Sequence, residues 1–309
     1  MPNHAQSIHK PVLLHEVVDY LFLRGGKGGK VPRVYLDGTI GGCGHALALA
    51  EALGGKLTII GLDRDRQAIE SAREKLAGKA ERLILEHKNF RNLDEVLSKH
   101  GIDGVDIVLF DLGMSSDQLE NSGRGFSFQR DEPLLMTMGD PAEYPFTAKD
   151  LVNSWKEEDI ANVIFGYGGE RFATKIARAI VRYREMRTID TSSELAEIVK
   201  GAVPAFYRRG RLHPATKTFQ AVRIAVNDEL NALKEGLRKG WAVLAKGGRM
   251  AIISFHSHED RVVKEFFREH GRIDGLIITK KPIRPGAGEI EDNSRARSAK
   301  LRISEKRVV

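Results

Sequence analysis

Short apolar runs alternating with helical stretches, followed by a long segment without such runs, limit most what this chain can fold into. Arg33–Thr39, Leu57–Asp63, Arg82–His87 and Val105–Asp111 each read as a buried strand. Helical patterns at His45–Leu53, Asp65–Leu76 and Leu93–His100 separate them. Strands linked in this way pair in parallel, with right-handed crossovers. From Met114 to Arg211 no apolar strand is seen, only helical stretches such as Ala148–Ile164 and Glu170–Arg187. The rhythm then returns, with one long helix through Phe219–Leu244 and a strand at Arg249–Phe255. A helix from Glu259 and late strands near Gly275–Lys280 and Lys300–Ser304 follow. The expected fold is a doubly wound α/β domain interrupted by a helical insert, divided as residues 1–113, 114–212 and 213–309. Arg24–Lys30 and Ile283–Arg297 read as flexible polar loops.

Composition excludes several classes. No run nears the roughly 18 apolar residues of a membrane span, and the N-terminus lacks the pattern of a secretion signal. One cysteine, Cys43, cannot make a disulfide framework, and H-x-H-E at His256–Glu259 lacks metalloprotease spacing, so no metal is expected. The cytoplasm is the expected compartment. The net charge of +7 says less than its clustering at Arg171–Arg187, Arg208–Lys217 and Arg295–Arg307. Such clusters suit a phosphate backbone, or are simply solvated helix faces.

The run from Asp37 to His45 (DGTIGGCGH) ends the first strand and opens a helix. Glycines there let a ligand approach the backbone, and Asp63 ends the next strand where an acid can bind ribose hydroxyls. A nicotinamide or flavin nucleotide would want G-x-G-x-x-G for its pyrophosphate. That spacing is absent, and Asp37 suits an ammonium instead, which favours S-adenosylmethionine. Phe90, past the third strand, is placed to stack on an adenine or to pack in the core. Asp111, Ser115 and Ser116 end the fourth strand, where acceptors could hold an exocyclic amine so that its lone pair faces a methyl group. Helix capping is the competing role for either serine. Two dense polar segments, His213–Gln220 and Ser254–Arg261, suggest His213 and His256 at the rim of a substrate pocket.

These residues carry a resemblance. HKPVLLHEVVDYL, DGTIGGCGHA, DLGMSSDQLE, RGFSF, GERFATKIARAIV, HPATKTFQAVRIAVNDEL, SFHSHEDRVVK and RARSAKLRISEK span nearly the whole chain. Together they resemble the ribosomal RNA small subunit methyltransferase H family, which methylates N4 of a cytidine in the decoding region of 16S rRNA. The resemblance implies a class I S-adenosylmethionine-dependent methyltransferase core (Rossmann-like) with an inserted helical domain. It implies cofactor contacts at Gly44, His45, Asp63, Phe90, Asp111 and Gln118, with Cys43 in the same loop, and the small ribosomal subunit as partner. It leaves the oligomeric state open, a homodimer among the options. A DNA amino-methyltransferase is disfavoured because the Asp111–Met114 segment lacks the prolines and aromatic of [DNS]-P-P-[YFW]; a noncatalytic RNA-binding factor is the other alternative. The chain departs from the family's usual pattern at Cys43 (for glycine), Ala46 (serine), Asp117 (proline), Gly169 (an acid) and His258 (leucine). Leu135 and Thr137 replace an aspartate and an arginine in a segment expected to border the RNA.

Overall fold

The computed structural model describes residues 11–23, 33–114, 119 and 122–307. Arg24–Lys30, Ser115, Ser116, Asp117 and Gln118 lie outside the described residues. The chain forms two compact units, Met1–Gly113 with Leu230–Val309, and Met114–Glu229.

In chain order, the first unit begins with α1 (Leu14–Val18), β1 (Val34–Asp37), α2 (Gly44–Ala52), β2 (Thr58–Asp63) and α3 (Arg66–Lys75). It continues with β3 (Arg82–His87), α4 (Leu93–Lys99) and β4 (Val105–Asp111). The second unit holds α5 (Ala148–Ser154), α6 (Glu157–Gly168), α7 (Ala173–Arg184), α8 (Ser192–Ala202), α9 (Ala205–Arg208) and α10 (Thr216–Asn227). The chain then returns through α11 (Glu229–Val243), β5 (Leu244–Ser254), α12 (Ser257–His270), β6 (Gly275–Ile277), α13 (Ala287–Asp292) and β7 (Lys300–Lys306).

The sheet has the order β3-β2-β1-β4-β5-β7-β6. Strands β1 to β5 pair in parallel, and β7 runs antiparallel to both β5 and β6. Apolar runs without polar alternation are what a sheet covered on both faces demands. Successive side chains divide between two cores as the period of two requires. Tyr35, Ile59, Ile107, Leu109 and Ile253 pack on one face, and Leu36, Ile60, Val108, Phe110 and Ile252 on the other. Parallel pairing brings the C-terminal ends of β2, β1 and β4 side by side, and these strands end in Asp63, Asp37 and Asp111.

The insert is helical, with a core of its own built from residues such as Leu151, Ile164, Ile176, Ile180 and Val199. Thr147 and Thr191 start α5 and α8 with reciprocal capping boxes to Asp150 and Glu194. Its far boundary, expected at 212, falls at Glu229, because α10 places Phe219, Val222 and Val226 in the insert core. Three local expectations are corrected. The single helix through Phe219–Leu244 is two, broken at Asp228, whose φ of 49° lies in the left-handed region. Aspartate tolerates that conformation, and apolar periodicity continues across the break, so the pattern conceals it. Ala148–Ile164 is likewise split at Trp155, whose extended ψ of 157° ends α5. Ile283–Arg297 is not a loose loop: it contains α13 and a 3-10 turn that buries Ala296 completely.

The segment 133–138, expected to border RNA, is mostly interior. Leu134, Met136 and Thr137 are fully buried, and Met136 has a φ of 55°. Asn227 holds it, donating to Met136 O at 2.7 Å and accepting from Met138 N–H at 2.9 Å. Thr137 stands where a larger cation would have to enter this packing; its hydroxyl donates to Gly139 O at 3.1 Å. Among the described residues no helix is long and apolar enough to cross a membrane.

Candidate active site

The three strand-end aspartates define the site. Asp37 is 2% exposed, accepts the Tyr35 hydroxyl at 2.6 Å and the Thr39 N–H at 3.1 Å, and is nevertheless pushed up to about 6 by burial. Asp63 accepts the N–H groups of Gly41 at 3.0 Å and Asp65 at 2.9 Å, and burial pushes it to about 6 as well. Asp63 therefore organises the glycine loop, with the Arg64 N–H as a third backbone donor, and keeps only its remaining acceptor capacity for a ligand. Asp111 is raised well above the usual carboxylate range, first by burial and then by the charges of Asp37 and Glu259. Its backbone N–H donates to Thr39 Oγ1 at 2.7 Å. Its Oδ1 is buried and has no hydrogen-bond partner among the described residues.

The loop and the helix it opens complete the arrangement. Cys43, the residue before α2, has a φ of 68°, a conformation that glycine adopts more readily. Burial pushes its thiol up to about 12, so it is a small buried hydrophobe rather than a nucleophile. Gly44 is small for a packing reason: a Cβ there would meet Pro11 Cγ at 2.6 Å. His45 is 5% exposed, and its Nε2 must donate to Val12 O at 2.9 Å, since a carbonyl only accepts. Its Nδ1 then faces Asp111 Oδ2 at 3.8 Å. Phe90 stacks on Phe110 with centroids 4.8 Å apart; Gly236 leaves the room its ring needs, and Gly38 that of Phe110. Core packing thus uses at least one face of the ring.

His256 caps α12: its Nδ1 accepts from Glu259 N–H at 3.3 Å, and Glu259 reaches back to His256 N–H at 3.2 Å. The Nε2 atom lies 3.2 Å from Glu259 Oε1 but out of hydrogen-bond alignment. Position at the end of β5 fits the rim expected of it, and capping accounts for its other nitrogen. His213 belongs to the insert, is exposed, stacks on Phe128 at 4.4 Å and accepts from Ala215 N–H at 3.2 Å. The first unit therefore gathers Cys43, Gly44, His45, Asp63, Phe90, Asp111 and His256, and His213 is not part of it. Ser115, Ser116 and Gln118 lie outside the described residues. Thr39 and Tyr35, which bind Asp111 and Asp37, escaped sequence reasoning. A hydroxyl two residues to either side of a strand-end acid was the signal available.

A buried edge carrying three carboxylates, one with an orphaned acceptor, fits a ligand that brings positive charge and N–H donors. It opposes a pyrophosphate. A family model, that of the MraW methylase family, matches residues 6–307. A ribosomal RNA small subunit methyltransferase H from Brevibacillus brevis is 44% identical over 316 residues, which cover 96% of this chain and 98% of that protein. Among solved structures, a protein from Clostridium thermocellum provisionally described as an rRNA methylase has a TM-score of 0.47 at 14% identity, covering 96% of this chain and 98% of that one. NSun6 from Pyrococcus horikoshii has a TM-score of 0.45 at 11% identity, covering 100% of this chain and 57% of that one.

Proposed function

The chain belongs to the MraW methylase family, is a methyltransferase with the class I S-adenosylmethionine-dependent fold, and from that premise we propose that it methylates N4 of a cytidine in the decoding region of 16S rRNA. The near full-length likeness to a ribosomal RNA small subunit methyltransferase H supports the substrate. One structural observation supports the chemistry: Asp111 ends β4 with its Oδ1 buried and unpaired among the described residues.

The residues fit S-adenosylmethionine, which supplies an electrophilic methyl group on a sulfonium. Asp63 would take the ribose hydroxyls with its remaining lone pairs, and Asp37 and Asp111 would face positive charge. Phe90 would offer the adenine whatever part of its ring the core leaves open. Asp111 Oδ1 then accepts an N–H of the cytosine amine, turning the nitrogen lone pair toward the methyl carbon. Its raised affinity for a proton suits it to receive the one that the methylated amine releases. Thr39 fixes the backbone of Asp111 during this, and His256 borders the amine. The insert, with its Arg171–Arg187 stripe, engages the surrounding RNA. The working compartment is the cytoplasm, where the small subunit is found.

The test is incubation with labelled S-adenosylmethionine and small ribosomal subunits that lack the modification. Label is expected on N4 of the decoding-region cytidine. Label on another nucleotide, or none from protein that binds the cofactor, overturns the assignment.

A further inference from the structure

The insert carries an aromatic and cationic cluster in which Phe172 and Tyr207 pack against its core while Phe206 and Arg171 stand exposed. The Arg171 guanidinium lies 4.9 Å from the ring centroid of Phe172, 5.5 Å from that of Phe206 and 5.2 Å from that of Tyr207. Lys175 Nζ lies 5.8 Å from the Phe172 ring centroid. Phe206 is 65% exposed, unusual for a ring of its size on a water-facing helix. The cluster is held from below. Tyr207 donates its hydroxyl to Glu170, which is fully buried and also accepts the Phe172 N–H at 2.9 Å. Phe172 meets Tyr207 edge-on at 5.1 Å and Phe206 at 6.4 Å. Tyr207 is therefore anchored, and Phe206 is presented beside it to solvent. Arg208 and Arg209 continue α9, both exposed, and the one acid in the cluster, Glu170, is turned inward.

We propose that Phe206 and Arg171 form a stacking platform for an unpaired RNA base, with Lys175 and Arg209 taking the flanking phosphates. Preorganised aromatic faces beside cations are what single-stranded RNA needs, because every base has a π-face and every linkage a negative charge. Four exposed cations with the one acid turned inward are the footprint of a phosphate backbone, which favours RNA over a protein partner. This inference rests on the RNA reading and adds to it a second contact point, on the insert rather than at the strand ends.

The experiment uses the full chain and a short fluorescein-labelled single-stranded RNA, read by anisotropy. Phe206→Ala is expected to weaken binding about tenfold, the loss of one stacked base. Phe206→Trp should restore it and Phe206→Leu should not, since leucine keeps apolar area without a π-face. Arg209→Ala should lower the slope of affinity against salt by about one phosphate, a slope Phe206→Ala leaves unchanged. With small subunits, Phe206→Ala should raise KM with kcat and cofactor affinity unaltered. Wild-type affinity in Phe206→Ala, or full rescue by leucine, overturns the platform while leaving the RNA reading intact. Normal RNA affinity in Phe206→Ala with lost binding of intact subunits assigns the patch to a protein and overturns it equally. A wild-type chain that binds no single-stranded RNA overturns the platform, whereas the methylation reading stands or falls on transfer to small subunits. Thermal midpoints of the variants should match wild type, since residue 206 contributes little buried area.

Discussion

The sheet unit and the helical insert both bury polar side chains, but they treat them oppositely. In the insert, Asn227 uses both ends of its amide on Met136, Met138 and Arg223, and Ser192 donates to Arg130 O at 2.7 Å. Glu170 binds a backbone N–H and a hydroxyl. Thr218 is the exception, its hydroxyl unpaired among the described residues. At the ends of β4 and β5 the pattern reverses: Asp111 Oδ1 and His256 Nε2 lack aligned partners, and three carboxylates crowd together. Buried polar atoms are normally paired, because leaving one unpaired costs about 1–3 kcal/mol. Satisfied groups in the insert specify its fold, and the unsatisfied ones at the sheet edge are the acceptors the proposed function uses.

The sharpest way to break this contrast is Asp111→Asn. Methyl transfer should fall roughly a thousandfold as the carboxylate that faces positive charge and takes the amine's proton is lost. RNA binding and the thermal midpoint should hold, since a poorly tolerated buried charge has gone. Parallel losses of activity and stability would make Asp111 structural.

Acidification is the next test. Asp37 and Asp63 bind protons more tightly folded than unfolded, each rising from 3.8 to about 6. Their contribution is therefore favourable at low pH and is lost as pH rises between about 4 and 6. The ligand-free protein should gain stability from about pH 7 to about pH 5, by roughly 1.3 kcal/mol for Asp37 alone. Urea midpoints across that range measure it, and S-adenosylmethionine should flatten the profile. A stability that climbs with pH through this window would mean the acids are already compensated.

On the insert's side, Asn227→Ala should cost about 2 kcal/mol in urea unfolding, because it strands Met138 N–H and Met136 O in the core. A neutral result would mean the insert tolerates unpaired groups as the sheet edge does. The smallest effect is expected for Cys43→Gly. Relief of a left-handed backbone at φ 68° and loss of a buried side chain nearly cancel, leaving a change of under about 1 kcal/mol. Denaturant midpoints and cofactor calorimetry check it.

Much of this was legible in the chain itself. The strand runs are long and apolar enough to place β1 to β5 and β7, and with them Asp37, Asp63 and Asp111 on one edge. Less visible was anything decided by tertiary contact. The break at Asp228 depends on one backbone angle inside continuous helical periodicity. Gly44 reads as a ligand-approach residue, yet Pro11, distant in sequence, fills the space its missing side chain leaves. Phe90 reads equally as stacker or core until Phe110 is seen against it. The burial of residues 133–138 depends on Asn227, about ninety positions later, which no local pattern reveals.

The pairing of β4 with β5 joins Asp111 to Ile253, roughly 140 residues downstream, across the whole insert. The sheet consequently cannot zip up in chain order: its fourth strand must wait while a second hydrophobic nucleus forms in between. An insert that collapses first shortens the loop to be closed, so its folding speed sets how long the half-built sheet exposes an open strand to neighbouring chains.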